Sequence, residues 1–317
     1  MSVLTVPAEH FVDRIGGLPS GVEVAVWDPE AGDLPAEIRD RVEVVLWPDI
    51  VRPDANPRLH GLGSLKLVQL QTAGFDHILS GFPDGVTLAN GRDVHTDETA
   101  EWAVTLLIAI MRGLPGYLEQ QREQTWRTVP RRTFLAGSRV VVLGAGAIGS
   151  RIATLLRGFK AQVTCIGRTT RSTVDGVPVV TLEQGLDAIA EADGVIVIVP
   201  LSDETRGLLD SAFLGKMKDD SFLVNVARGA VVDTAALISE CSSGRITAAL
   251  DVTDPEPLPQ GHPLWTTPNV YLTPHVGGEE TPYAYQAAAD IVTHQVNALA
   301  EGGPLINVVK ESSTPRS

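Results

Sequence analysis

Four polar residues in the last third of the chain have types suited to hydride chemistry on a carbonyl acid. Arg228 comes just after the apolar run Ser221–Val226, and Asp251 follows Ala248–Leu250. Glu256 lies five residues past Asp251, and His275 follows Val270–Thr273 and Pro274. If these runs are parallel strands, all four residues share the edge where open α/β sheets bind ligands. An arginine can clamp a carboxylate with paired donors and polarise a neighbouring carbonyl. A histidine titrates near neutrality and can protonate the alkoxide that hydride arrival leaves. A carboxylate beside it favours the charged ring and orients it. Pro255 and Pro257 flank Glu256 and restrict its backbone. Together the set suits reduction of a 2-oxo acid. Singly, each residue has a plainer reading: His275 as a turn histidine, Glu256 as a solvated loop acid, Arg228 as half of a surface ion pair. Their convergence behind a dinucleotide site favours the chemistry.

That site is predicted by Val140–Leu143 followed by Gly144-Ala145-Gly146-Ala147-Ile148-Gly149. The apolar run reads as a buried strand, and Ile148, Ile152, Leu155 and Leu156 begin a helical stripe. Gly144 allows the tight turn, Gly146 lets a pyrophosphate approach the backbone, and Gly149 lets the helix pack closely. The helix N-terminus, from Ala147 and Ile148, offers N–H groups and a positive dipole end to phosphate. A tight structural turn is the plainer alternative. At the end of the next strand, Gln162–Ile166, an NAD site would carry Asp or Glu. Here stands Gly167-Arg168-Thr169-Thr170-Arg171. Arg168 and Arg171 can pair with a 2′-phosphate and Thr169 adds a hydroxyl, so NADP(H) is expected to be preferred, with NAD(H) possible. The alternative is that both arginines are ordinary solvated residues. Asp175 lies too far on to be an obvious ribose ligand.

Length suggests two domains, since the chain has 317 residues. A net charge of −14 argues against nucleic acid or an anionic membrane as partner, so an anionic substrate needs a local positive site. The two cysteines, Cys165 and Cys241, form no framework or metal motif, which fits a reducing, cytoplasmic setting; no metal is expected. The N-terminus shows no basic region leading into an apolar run, so no signal peptide is expected. The apolar stretch at 102–111 is too short to span a bilayer.

The positioning elements follow in order. Val22–Trp27, Val42–Trp47, Leu67–Gln71 and Val86–Ala89 read as strands, with helical segments at Pro35–Arg41 and Pro57–Leu62. Gln71 to His77 contains Gly74, which would let backbone amides face a small anion; a plain strand-to-helix turn explains the stretch at least as well. Asp97–Met111 reads as a long buried helix that links domains or forms a subunit contact. Residues 122–134, with Trp126, read as an irregular link. Beyond Arg139, strands at Val195–Val199, Ser221–Val226, Ala248–Leu250 and Val270–Thr273 alternate with helices at Leu182–Glu191, Thr234–Ser243 and Glu280–Ala300. This order implies a doubly wound parallel sheet.

Several stretches resemble signatures of the D-isomer-specific 2-hydroxyacid dehydrogenases. They are Thr96–Arg112 with Thr99-Ala100-Glu101, Pro200 to Leu208 with Thr205, Asn225 to Asp233, Ala249 to Pro259, His262-Pro263-Leu264 and Thr273-Pro274-His275. The resemblance runs from about Leu67 to Asn307 and is most specific in the second half. It implies that Arg228 binds substrate, that His275 is the acid/base and that Glu256 is its partner. It also implies cofactor contacts from Thr99, Pro200, Thr205, Ala227, Asp251 and Gly277, with Asp251 at the nicotinamide carboxamide. Ala73 and Gly74 would give amides to the substrate carboxylate. The run from Asp251 to Pro259 and the Gly-Arg after the second strand look most like glyoxylate/hydroxypyruvate reductases. Ala147 and Gly278-Glu279-Glu280 depart from the usual pattern. The fold implied is α/β with a Rossmann nucleotide domain at 98–283. A discontinuous flavodoxin-like substrate domain would comprise 1–97 and 284–317. The resemblance also implies a homodimer. An NAD-dependent D-3-phosphoglycerate or other D-hydroxyacid dehydrogenase, and a non-enzymatic nucleotide sensor, stay open as alternatives.

Overall fold

The computed structural model describes residues 2–49, 53–128, 133–173, 175–279 and 281–312. By internal contacts it forms two units, Met1–His95 with Glu279–Ser317, and Thr96–Gly278.

The first unit contains strands β1 (Ser2–Val6), β2 (Val22–Val26), β3 (Val42–Trp47), β4 (Leu67–Leu70) and β5 (Thr87–Ala89). Short helices α1 (Glu9–Val12), α2 (Ala36–Arg39) and α3 (Asp76–Leu79) lie between them. The five strands are parallel in the order β2-β1-β3-β4-β5, the flavodoxin-like order. The expected helix at Pro57–Leu62 is a 3-10 segment, Pro53–Gly61. β1 was not expected from the sequence. Its run Ser-Val-Leu-Thr-Val mixes hydroxyls with apolar residues, yet Thr5 is wholly buried between β2 and β3.

The second unit begins with α4 (Thr96–Met111), which buries Ala100, Ala103, Val104, Leu107, Ile110 and Met111. That spacing is the helical stripe of a core-facing helix. α5 (Leu114–Arg122) follows where no helix was expected; it contains Pro115 and Gly116 and buries nothing, so no apolar stripe marks it. The irregular link continues through 123–128, and residues 129–132 lie outside the described residues. The sheet comprises β6 (Arg139–Leu143), β7 (Gln162–Ile166), β8 (Arg171–Ser172), β9 (Pro178–Val180), β10 (Gly194–Val197), β11 (Ser221–Asn225), β12 (Ile246–Leu250) and β13 (Val270–Leu272). Its order is β13-β12-β11-β10-β6-β7-β9-β8, parallel except for β8. The reversal of strand order at β6 is the doubly wound switch point.

Helices α6 (Ala147–Gly158), α7 (Leu186–Glu191), α8 (Ser211–Lys216) and α9 (Thr234–Ser242) cover this sheet. Val140 and Val142 face the core shared with α4 and α6, while Val141 and Leu143 face that of α7, α8 and α9. Both faces are therefore buried, and strands of this kind read as continuous apolar runs. α7 is shorter than expected because Leu182–Gly185 forms a turn, with the Gly185 amide donating to Thr181 O.

The chain returns to the first unit with α10 (Pro282–Glu301) and β14 (Val308–Lys310), which pairs antiparallel with β5. Thr281 caps α10 by accepting from the Ala284 amide; Glu280, the expected first residue, lies outside the described residues. Among the described residues no helix is long and apolar enough to cross a membrane, and no group of His, Cys, Asp or Glu could hold a metal ion. Cys165 and Cys241 are buried free thiols, and desolvation pushes them up to about 11 and about 12.

Candidate active site

At the C-terminal end of β6 the three glycines are constrained differently. Gly144 has φ +123°, and a Cβ there would lie 2.5 Å from Ile198 O. A Cβ on Gly149 would lie 1.9 Å from Gly144 O, so only glycine lets α6 start against the loop. Gly146 has nothing within 4 Å on its Cβ side. The fold needs two of the glycines and leaves room beside the third, as a backbone that must admit a phosphate would. Ala147 and Ile148 open α6, with no side chain capping its N–H groups.

Past β7, Arg168 and Thr169 are exposed. Arg171 begins β8 and donates from Nη2 to Ala145 O at 2.5 Å, so its guanidinium is held on the glycine loop. Asp175 is bound to α6 through Thr154 Oγ1 and Arg157, which takes it away from a ribose role. After β10, Thr205 Oγ1 donates to Pro200 O at 2.6 Å and closes the 200–205 loop.

Arg228 follows β11 in a turn set by Asn225. The buried Asn225 side chain accepts from Ala227 N and donates to Arg228 O, both at 3.0 Å. Arg228 Nη1 donates to Ala227 O at 2.8 Å. A Cβ on Gly229 would fall 1.9 Å from the Thr253 carbonyl carbon. Glycine there lets the Arg228 turn lie directly on the loop that carries Glu256. Within that loop Glu256 Oε2 accepts from Thr253 N at 3.4 Å, and both Asp254–Pro255 and Glu256–Pro257 are cis.

Asp251, 2 % exposed at the end of β12, anchors the histidine. Its Oδ1 accepts from Trp102 Nε1 at 3.0 Å, Thr273 Oγ1 at 2.6 Å and Val276 N at 3.1 Å, and Oδ2 accepts from Gly277 N at 2.9 Å. Its backbone carbonyl takes the His275 amide at 2.8 Å. These bonds hold His275 at φ +57°, a left-handed conformation that costs a non-glycine residue roughly 1–2 kcal/mol. Gly277 packs on Trp102 and Thr99: a Cβ there would lie 3.2 Å from Trp102 Cδ1 and 3.8 Å from Thr99 Cγ2.

His275 Nδ1 and Glu256 Oε1 are 2.5 Å apart. The hydrogen bond to Glu256 raises the imidazole above its ordinary value; burial pulls it down, the Glu256 charge adds to the rise, Arg228 opposes it and Asp251 reinforces it. For Glu256, burial alone would raise the carboxyl. The His275 bond and charge, the Thr253 amide and the Arg228 charge outweigh this and hold it below its ordinary value. Both shifts favour the imidazolium–carboxylate form of the pair, and the bond engages Nδ1 and leaves Nε2 outside it.

The structure thus gathers Arg228, Asp251, Glu256 and His275 at one edge of the second unit. Ala73 and Gly74 lie in the first unit, after β4. Asn225, Trp102 and Thr273 also shape the cluster, though no chemistry was assigned to them from sequence. Asn225 ending a strand before Arg228 was a usable signal; Trp102 carried none, because its partner is 149 residues away.

A family model for the D-isomer specific 2-hydroxyacid dehydrogenase NAD-binding domain matches residues 104–277. The chain belongs to this family. It is an NAD(P)-dependent oxidoreductase, and residues 104–277 are its dinucleotide-binding region. The dehydrogenase is 35% identical over 223 residues to the human protein named glyoxylate reductase/hydroxypyruvate reductase, covering 68% of each chain. It is 31% identical over 317 residues to glyoxylate/hydroxypyruvate reductase A of Serratia proteamaculans, covering 95% of each. A D-isomer specific 2-hydroxyacid dehydrogenase structure from Xanthobacter autotrophicus Py2, in complex with NADPH and MES, superposes with a TM-score of 0.83 at 29% identity over 98% of both chains. The residues present fit a dinucleotide: open space at Gly146, uncapped amides at the start of α6, and no carboxylate at the end of β7.

The glycine geometry generates a paired expectation. Gly149→Ala should lower the melting temperature by several degrees, because the added carbon meets the Gly144 carbonyl and overpacking typically costs about 1–3 kcal/mol. Gly146→Ala should melt within a degree of wild type yet bind NADPH far more weakly in a fluorescence titration. Equal melting losses for the two variants would contradict the assignment of Gly146 to the ligand.

Proposed function

We propose that this dehydrogenase is NADP(H)-dependent and reduces a small 2-oxo acid, such as glyoxylate or hydroxypyruvate, to the D-2-hydroxy acid. The observation that carries the reading is the 2.5 Å His275–Glu256 pair, which Arg228 influences electrostatically. The names of the human and Serratia relatives support the substrate class, and the NADPH complex of the Xanthobacter structure supports the cofactor.

The dinucleotide would be held by Gly144, Gly146, Ala147, Ile148 and Gly149 at the pyrophosphate and by Arg168, Thr169 and Arg171 at the 2′-phosphate. Thr99, Pro200, Thr205, Ala227, Asp251 and Gly277 would complete its site. When bound, the nicotinamide supplies the hydride. Arg228 binds the 2-oxo acid and polarises its carbonyl. Protonated His275 donates from Nε2 to the developing alkoxide, and the Glu256 carboxylate keeps Nδ1–H engaged and the ring charged. Residues 98–283 serve the nucleotide. Residues 1–97 with 284–317 serve the substrate, whose carboxylate we assign to the Ala73 and Gly74 amides. The buried free thiols fit a reducing compartment such as the cytoplasm. A homodimer is proposed as well; Leu114, Leu118, Trp126 and Phe134 are exposed around α5, Trp126 completely so at 101%.

Three measurements test this reading. Wild type should oxidise NADPH with glyoxylate or hydroxypyruvate at a higher kcat/KM than NADH. Arg168→Ala should lower kcat/KM for NADPH about 10-fold, the low end for a charge-assisted bond at an exposed residue, and spare NADH; equal losses would remove Arg168 from the 2′-phosphate. Binding of NADPH with no turnover of any 2-oxo acid would favour a sensor.

The second concerns pH. Reduction needs the charged imidazole, so activity is present below the raised His275 pKa and is lost as pH rises through it. Glu256→Gln removes the charge that raises it, so the alkaline limb of kcat/KM should move to lower pH. In the oxidative direction neutral His275 is the base, and the same variant should extend activity toward acid. His275→Ala should cost about 10²–10⁴-fold with NADPH still bound. A profile that Glu256→Gln leaves in place would reduce Glu256 to a loop residue.

Third, sedimentation at micromolar concentration should show a dimer, and a monomer throughout would refute the two-fold assembly.

A further inference from the structure

Amide side chains are buried in the core of the first unit: Gln69 on β4 is 1% exposed and Gln295 on α10 is 0% exposed. A buried amide is costly unless every polar atom is met, and here all of them are. Gln295 Nε2 donates to Gln69 Oε1 and to Ile306 O, both at 2.8 Å, and Gln295 Oε1 accepts from Ile306 N at 3.2 Å. Gln69 Nε2 donates to Leu70 O at 2.8 Å and to Asn90 O at 2.9 Å. The Asn90 amide donates to Asn307 O at 2.9 Å. The backbone of Asn90 is thereby fixed from both sides of the sequence, by β4 and by the segment after α10.

The side chain of Asn90 then reaches the loop after β4. Its Nδ2 donates to Ala73 O at 2.7 Å, and the Gly91 amide donates to Thr72 O at 2.7 Å. A trans peptide places its N–H opposite its C=O. Holding Thr72 O and Ala73 O at the Asn90–Gly91 turn therefore points the following N–H groups, of Ala73 and Gly74, away from it. Neither amide donates to an acceptor among the described residues. Gly91 is required for this approach, since a Cβ there would sit 2.0 Å from Gln71 O. Thr72 Oγ1 donates to Gly74 O at 2.8 Å and fixes the next peptide too.

We propose that Asn90, locked by the buried Gln69–Gln295 pair, is a positioning residue that aims the Ala73 and Gly74 amides at the carboxylate of the 2-oxo acid. The inference rests on the reductase reading above. A satisfied buried network has one low-energy arrangement, so the two amides are preorganised before substrate arrives, and binding need not order them.

The test uses Asn90→Ala in the full chain, with glyoxylate and hydroxypyruvate as substrates. The expected result is a KM raised about 5- to 10-fold, the scale of one weakened hydrogen bond to a charge, with kcat within twofold and NADPH affinity unchanged. Hydrogen exchange at Gly91, whose N–H holds Thr72 O, should accelerate. Gln69→Leu combined with Gln295→Leu removes both buried partners together; it should reproduce the KM rise and add little to Asn90→Ala, as coupled positions do. An unchanged KM in Asn90→Ala overturns the proposal whatever the exchange shows. Parallel losses in KM, kcat, NADPH affinity and melting temperature also overturn it, by assigning Asn90 a general structural role. Wild type that turns over no 2-oxo acid instead refutes the reductase reading, while Gly91 exchange still reports whether Asn90 holds the loop.

Discussion

The buried carboxylate of Asp251 is the interaction on which the active edge depends. A carboxylate at that depth is tolerable only when its lone pairs are filled, and four donors fill them: the Trp102 indole, the Thr273 hydroxyl and the amides of Val276 and Gly277. These donors come from α4, from the end of β13 and from the histidine loop. Satisfying one charge therefore brings three parts of the second unit to a point. The same residue's carbonyl takes the amide of His275 and supports its left-handed backbone. The imidazole is thus placed by a buried neighbour at the end of β12.

Close backbone approach is the second constraint. Gly149 against Gly144, Gly229 against Thr253 and Gly91 against Gln71 are contacts that any side chain would prevent. Each seats a turn of functional interest: the start of α6, the Arg228 turn and the Asn90 turn. Gly146 is the counter-example within the same motif, because its space is open. Glycines that packing requires are thereby distinguished from one that packing leaves free within a single six-residue run.

The electrostatics are local. A chain with a net charge of −14 repels anions at long range, yet Arg228 places a positive charge near the His275–Glu256 pair at the strand ends. Arg228 opposes the charging of His275, and the short bond from Glu256 outweighs it. Glu256 thus favours the protonated form of a histidine that also feels the Arg228 charge. Without it, burial and the Arg228 charge would favour the neutral ring.

The central strands of the second sheet, β6, β10, β11 and β12, were legible in the sequence because both faces are buried, and a strand buried on both faces is largely apolar. The glycine run and the polar residues closing three successive strands were legible for a related reason: parallel strands bring their ends to one edge whatever the detailed packing. What escaped were mostly short elements, β1 with its buried Thr5, α1, β8, β9, α8 and β14, and α5, which buries nothing. Also invisible was the identity of long-range partners. Trp102 is 149 residues from Asp251, and Gln69 is 226 residues from Gln295. The amino-acid sequence by itself determined the order of the main elements, the glycine motif and the types of the polar groups at the strand ends, since these follow from local periodicity and backbone freedom. Only the tertiary structure decided which donor meets which buried acceptor, because that choice depends on how distant segments share a core in which an unmet polar atom is costly.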